Sequence, residues 1–139
     1  AVKEMGLDLF ASHFVAKLSV SCLVYNHPGF GASDTRDGEP RQEIVPTQQT
    51  DDMSDAISYA QSREDVDMQK ISLWGSSYSG GHVLSVAAVD RRVKAVLSQV
   101  LFISGSRSSA MNPPETINLL NDLFSQDTRS HFISFILSL

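Results

Sequence analysis

The segment ISLWGSSYSGGHVL, residues 71–84, indicates the type of fold and locates the candidate site. Apolar residues lead directly into a group of Gly and Ser, and a helical pattern follows with no room for a loop. Small residues at such a strand-to-helix junction serve two kinds of site. One presents a nucleophile on a tight turn, and the other holds an anion at the N-terminus of a helix.

The spacing of small residues selects among the three serines of this stretch. A nucleophile on such a turn needs small residues two positions before and two after it, because these come close together. Ser76 fails this test, since a tryptophan precedes it by two positions. Ser77 has Gly75 before it and Ser79 after it. Ser79, between Ser77 and Gly81, is a poorer match and stays open as a second candidate.

Tyr78, the residue after Ser77, begins the predicted helix. Its backbone N–H is therefore expected to face the ligand crevice and to donate to a developing oxyanion. A phosphate site at the same turn is disfavoured, because the sequence has neither the G-K-[ST] of a P-loop nor a G-x-G-x-x-G run. A Ser/Gly-rich turn that only lets the helix pack closely also remains open.

Hydrophobic periodicity predicts alternating helices and strands along the chain. A parallel sheet with helices on both faces is the expected α/β architecture. Thr50, Asp51 and Asp52 are interpreted as the cap and solvated first turn of the second helix. The predicted elements are a helix over 4–17, a strand over 19–25, a helix over about 50–60, strands over 70–74 and 93–100 with a helix over 78–89 between them, and a helix from residue 113.

Loops that follow parallel strands meet at one edge of the sheet, where such folds bind ligands. The first of these loops reads NHPGFG, residues 26–31, and His27 and Gly29 are expected to contact substrate there. His27 is not the expected general base, because no carboxylate is evident to orient it. His82, five residues after Ser77 on the same helix, is expected to point elsewhere, into packing or solvent. Asp34 is expected to stabilise the loop.

Composition excludes several classes of partner. The 139 residues carry a net charge of -5, which disfavours binding to nucleic acid or to an anionic membrane surface. No apolar run is long enough to span a bilayer. Cys22 is the only cysteine, so no internal disulfide can form, and a reducing, cytoplasmic compartment is expected. Neither a cofactor nor a metal is predicted.

Three segments together resemble the α/β-hydrolase superfamily: VYNHPGFGASD, GEPRQ, and the run from DVDMQK to VLSQV. The similarity is to dienelactone-hydrolase and Xaa-Pro-dipeptidyl-peptidase-like serine hydrolases, which include fungal polyketide transferases. The resemblance implies Ser77 as nucleophile and acyl transfer from a small ester, thioester or amide. Asn26 and Pro28 depart from the Asp and Arg common at these positions, and residues 35–37 look like an insertion.

The same resemblance implies that parts of the fold are absent. The family's catalytic acid and histidine follow later strands, and its second oxyanion donor precedes the region equivalent to Ala1. Residues 1–139 are thus expected to be the central portion of one domain, truncated at both ends and inactive alone. Apolar sheet edges at 93–100 and around 131–139 are expected to cause self-association. A polyketide-type acyltransferase and a non-catalytic fragment remain alternatives.

Overall fold

The computed structural model describes residues 3–101, 103–104 and 133–138. The described elements follow the predicted alternation of helices and strands. In chain order they are a short 3-10 helix Lys3–Met5, α1 Leu7–Lys17, β1 Ser21–Val24, α2 Pro46–Gln61, β2 Ile71–Ser76, α3 Tyr78–Val89, β3 Ala95–Gln99 and β4 Ile133–Ser138. The helix predicted from residue 113 lies outside the described residues.

The four strands form one sheet in the order β1-β4-β2-β3. β2 and β3 are parallel, as predicted, whereas β4 runs antiparallel to both of its neighbours. The sheet is therefore mixed, and the prediction of a purely parallel sheet is wrong for its last strand. Residues 133–138 also lie inside the sheet, so this segment is not the exposed edge that was expected. β3 is an edge strand among the described residues.

Helices cover both faces of the sheet. Successive side chains of β2 point to opposite faces, so both faces carry apolar residues that the helices bury. Ile71 and Leu73 point into a core built with α2 and α3, and both are fully buried. Trp74 points to the opposite face, where it packs with Leu7 and Ala11 of α1. These two apolar layers fix β2 between the helices, and they hold the turn at its C-terminal end in place.

The second helix begins earlier than predicted. Val45 is its N-cap, and Pro46 occupies the first turn, where a missing N–H costs nothing and the fixed φ suits a helix. Asp52 therefore lies in the second turn and not at a solvated helix start. Asp51 is exposed, as predicted, but the Asp52 side chain is only 9% exposed.

Candidate active site

Ser77 occupies a strained backbone conformation between β2 and α3. Its φ is 60° and its ψ is -124°, values that side-chain-bearing residues rarely adopt. The residue is exposed, and α3 begins at the next position, Tyr78, as the sequence predicted. Strain of this kind costs about 1–3 kcal/mol and persists only where the surroundings impose it. The turn therefore presents the Ser77 side chain outward at the end of the central strand.

Gly75 allows this turn to form. A Cβ at position 75 would lie 2.5 Å from the backbone oxygen of Ser79 and 2.8 Å from its carbonyl carbon. Real Cβ atoms do not come so close to backbone atoms, so only glycine fits. The residues two before and two after Ser77 thus touch, which is the requirement that the spacing of small residues indicated.

Backbone hydrogen bonds hold the turn at both of its ends. The N–H of Ser77 donates to the carbonyl of Gln99 at 3.0 Å, which ties the turn to the end of β3. The N–H of Gly80 donates to the carbonyl of Ser77, also at 3.0 Å. Tyr78 is the first residue of α3. Its backbone N–H is therefore one of the N–H groups of the first turn, which have no acceptor within the helix itself. This is the placement expected of an oxyanion donor.

Ser79, the second candidate nucleophile, is buried, with 1% of its surface exposed. Its hydroxyl lies within α3, and a substrate carbonyl has no approach to it there. Ser76 is half-buried at the end of β2. Among the three serines of the junction, exposure and backbone strain coincide only at Ser77.

His27 has the carboxylate partner that sequence reasoning did not find. Its Nδ1 lies 2.9 Å from Oδ2 of Asp52, and both side chains are at least nine-tenths buried. The other carboxylate oxygen of Asp52 accepts a hydrogen bond from Nη2 of Arg36. The expectation that His27 lacks an orienting carboxylate is thus wrong, because α2 starts a turn early and carries Asp52 inward. No hydrogen bond joins His27 to Ser77 in the described part of the chain.

Gly29 serves the structure of its loop. Its φ is +79°, its N–H donates to the carbonyl of Asp34 at 2.8 Å, and its carbonyl accepts from the N–H of Gln42 at 3.1 Å. Both backbone groups are engaged within the loop, and the residue is buried. Arg41 closes the same loop by donating to the carbonyls of Gly31 and Ser33. Substrate contact by His27 and Gly29 stays a prediction.

His82 is buried in α3, the helix that follows Ser77. It is 7% exposed, and its ring lies 4.5 Å from that of Tyr78, centroid to centroid, in an edge arrangement. Burial, with a smaller contribution from the nearby His27, lowers the pKa of His82 to about 4. His82 is therefore neutral at pH 7 and packs inward, while its Nε2 has no hydrogen-bond partner among the described residues.

Sequence reasoning missed Asp52 and Arg36 as members of this region. The signal that was available is helical phase. Asp52 lies within α2, because this helix begins at Pro46. It lies four positions before Ala56, beside the helix face that buries Met53 and Ile57. A carboxylate at such a position needs a buried partner, and a histidine at the end of the neighbouring strand supplies one.

No group of three or more metal-binding side chains occurs in the described residues. Likewise, none of the helices in the part of the chain that the structure describes has the length and apolar character needed to cross a bilayer.

Comparison with known proteins agrees with this geometry. The model of the acetyl xylan esterase (AXE1) family matches residues 47–124, which is more than half of the chain and includes the whole β2–α3 junction. The chain belongs to this family of α/β-hydrolase-type esterases.

Individual relatives extend the similarity to most of the chain. The quorum-quenching protein AidA of Acinetobacter baumannii is 43% identical over 119 residues, 85% of this chain and 38% of the relative. The acyltransferase drtE of Aspergillus calidoustus is 36% identical over 96 residues, 69% of this chain and 30% of the relative. A solved structure of DcsB in complex with its substrate analogue superposes with a TM-score of 0.61 at 31% identity, and the match covers 94% of this chain and 43% of DcsB. The chain thus spans less than half of the length of each of these relatives.

Proposed function

We propose that this chain carries the nucleophile of a serine-dependent acyl transfer. The Oγ of Ser77 attacks the carbonyl carbon of a small ester, thioester or amide and forms an acyl-enzyme as the alcohol, thiol or amine leaves. The backbone N–H of Tyr78 donates to the oxyanion, an interaction of about 3 kcal/mol in comparable sites. Water then attacks the acyl-enzyme and regenerates the Ser77 hydroxyl.

The single observation that carries this proposal is the strained, exposed conformation of Ser77 at the end of the central strand. A serine hydroxyl also needs a base to take its proton. We propose that the catalytic histidine and acid come from parts of the full-length protein outside these 139 residues, as do the second oxyanion donor and the rest of the substrate site.

A polyketide-type acyltransferase is the second candidate, and the names of two relatives favour it. One relative is a polyketide transferase of a Penicillium species, 34% identical over 95 residues, and the other is the acyltransferase drtE. The chemistry at Ser77 is the same for both candidates, and only the acceptor differs. Partition of the acyl group between water and an added alcohol, measured by product analysis, distinguishes the transferase from the hydrolase.

The experiment that tests the proposed function compares two serine substitutions in the full-length gene product. With p-nitrophenyl acetate as probe, we expect Ser77→Ala to lower kcat by about a thousandfold or more. Ser85→Ala is the matched control, because Ser85 is an exposed serine of the same helix whose hydroxyl donates to the carbonyl of Gly81. Equal activity of the Ser77→Ala variant and the unsubstituted protein contradicts the proposal and favours a non-catalytic role.

A further inference from the structure

Two strained residues lie next to each other at the ends of neighbouring parallel strands. Three of the described non-glycine residues have a positive φ: Gln42, Ser77 and Val100. The pairing of β2 with β3 ends at Ser76 and Gln99, and Ser77 and Val100 are the residues that follow. The N–H of Ser77 donates to the carbonyl of Gln99 at 3.0 Å. Because that carbonyl is bonded to the nitrogen of Val100, the backbone nitrogens of Ser77 and Val100 lie within about 5 Å of each other.

The segment that carries Val100 is also held against the first turn of α3. A Cβ added at Gly80 would lie 3.1 Å from both Cα and Cβ of Leu101, so these two residues are in close contact. The hydroxyl of Ser98 donates to the carbonyl of Gly80 at 2.9 Å. Val100 therefore lies between two fixed points, the hydrogen bond of Ser77 on one side and the contact of Leu101 with Gly80 on the other.

Neither the backbone nor the described core accounts for a valine at position 100. Its φ is 45°, in a region that branched side chains rarely adopt and that glycine occupies without steric cost. The side chain is 77% exposed, and the apolar residues that follow, Leu101 and Ile103, are exposed as well. Strained positions of this kind cluster where a residue serves a function. An exposed apolar side chain held beside a nucleophile can contact an apolar part of the substrate.

We infer that Val100 is a specificity-determining residue that contacts the acyl chain of the substrate, an inference that rests on the function proposed above. The acyl group stays bonded to Oγ of Ser77 after the alcohol, thiol or amine has left. Its first carbons therefore lie beside the Ser77 turn through both halves of the reaction. The isopropyl group of Val100 offers these carbons an apolar surface, which favours acyl chains of several carbons over an acetyl group.

Substitution of Val100 by threonine removes apolar surface and keeps the shape of the side chain. Threonine is also branched at Cβ, so the backbone strain is nearly the same. In the full-length gene product, we expect Val100→Thr to lower kcat/KM for p-nitrophenyl hexanoate by about three- to tenfold. The value for p-nitrophenyl acetate should stay within about twofold, because an acetyl group has no chain to make the contact. Both esters release the same alcohol, so their ratio reports on the acyl group alone.

Val89→Thr is the matched control for this substitution. Val89 is the last residue of α3, at the opposite end of the helix from Ser77, and it is 81% exposed. This variant should leave the ratio of the two esters unchanged. Val100→Ala loses both methyl groups and should lower the hexanoate-to-acetate ratio as well, so it carries the same test should Val100→Thr fail to fold.

Three outcomes overturn the inference. An unchanged ratio in the Val100 variants means that the side chain does not touch the acyl chain, and a loss of stability alone means that it packs against another part of the full-length protein. An equal loss for both esters means that Val100 acts on the Ser77 turn and not on the acyl chain. An effect that follows the alcohol, with p-nitrophenyl acetate compared with ethyl acetate, assigns the contact to the leaving group.

The Ser77→Ala variant, measured in parallel, separates this inference from the proposed function. Loss of activity in Ser77→Ala together with an unchanged ratio in Val100→Thr overturns the specificity role alone. Full activity in Ser77→Ala removes the proposed function, and with it the acyl-enzyme that Val100 was inferred to contact.

Discussion

At the scale of single residues, the strained backbone conformation of Ser77 is explained by the residues on either side of it. Glycine is the only residue type that fits at position 75, because a side chain there would meet the backbone of Ser79. This requirement is visible in the sequence, and so are the position of the turn and the start of α3 at Tyr78. The hydrogen bond between His27 and Asp52 was not visible, because it depends on where α2 begins and on how it packs against β1.

Substitution of Gly75 tests the close approach within the turn. We expect Gly75→Ala to lower the free energy of unfolding by about 1–3 kcal/mol, because the new Cβ meets backbone atoms that cannot move aside. Activity on p-nitrophenyl acetate should fall as Ser77 is displaced. Thermal unfolding and steady-state kinetics measure the two effects.

Gly38→Ala is the control for this experiment. Gly38 also has a positive φ, +77°, but an added Cβ would have no neighbour within 4 Å. This variant should lose some stability through backbone strain alone and keep its activity. Equal loss of activity in both variants would show that the approach of residues 75 and 79 has no special role.

Burial of His82 predicts a specific pH dependence of stability. The pKa of His82 is about 4 in the folded protein and about 6.5 in an unfolded chain. Between these values the unfolded chain takes up a proton that the folded protein does not, so stability falls as the pH is lowered from about 6.5 to 4. His82→Phe keeps the ring contact with Tyr78 and removes the titration.

As the pH falls from about 6.5 to 4, we therefore expect the unsubstituted protein to lose stability relative to the His82→Phe variant. Urea unfolding at several pH values measures it. His13→Gln, at an exposed position of α1, is the control for the loss of an imidazole from the surface. A difference that is constant with pH would mean that His82 titrates normally.

At the scale of elements, sequence periodicity predicted each helix and strand of residues 4–100 within a few positions. Apolar alternation and turn residues specify these elements locally. The position of β4 could not be predicted, because a short apolar strand does not encode its partners or its direction. Residues 133–138 were expected at an edge, whereas they pair with β1 on one side and β2 on the other.

The edge strand β3 predicts self-association of the 139-residue chain. Leu97 is 48% exposed and Val100 is 77% exposed, and β3 pairs only with β2 among the described strands. Edge strands of this kind pair with other chains, and a lysine on the strand opposes such pairing. Sedimentation velocity should show association that depends on concentration, and Leu97→Lys should shift the chain towards the monomer.

Ala88→Lys on the exposed surface of α3 is the matched control and should associate like the unsubstituted chain. If the unsubstituted chain is monomeric at all concentrations, or if both lysine variants associate equally, the edge of β3 is not the contact surface.

At the scale of the whole molecule, the family is consistent with the order of elements and with the strained turn at Ser77. The family match over residues 47–124 includes α2, β2, α3 and β3, which are the elements that form and support this turn. The sequence does not specify the acyl group or its acceptor, because the matches cover only 38% of one relative and 30% of another.

The most direct test of the account is to trap the acyl-enzyme. The full-length gene product is mixed with p-nitrophenyl acetate and quenched in acid, and its intact mass and peptide fragments are then measured. We predict one added acetyl group, located on Ser77, which is absent from Ser77→Ala and present in Ser85→Ala. An acetyl group on any other residue, or none during measurable turnover, would contradict the assignment of Ser77 as the nucleophile.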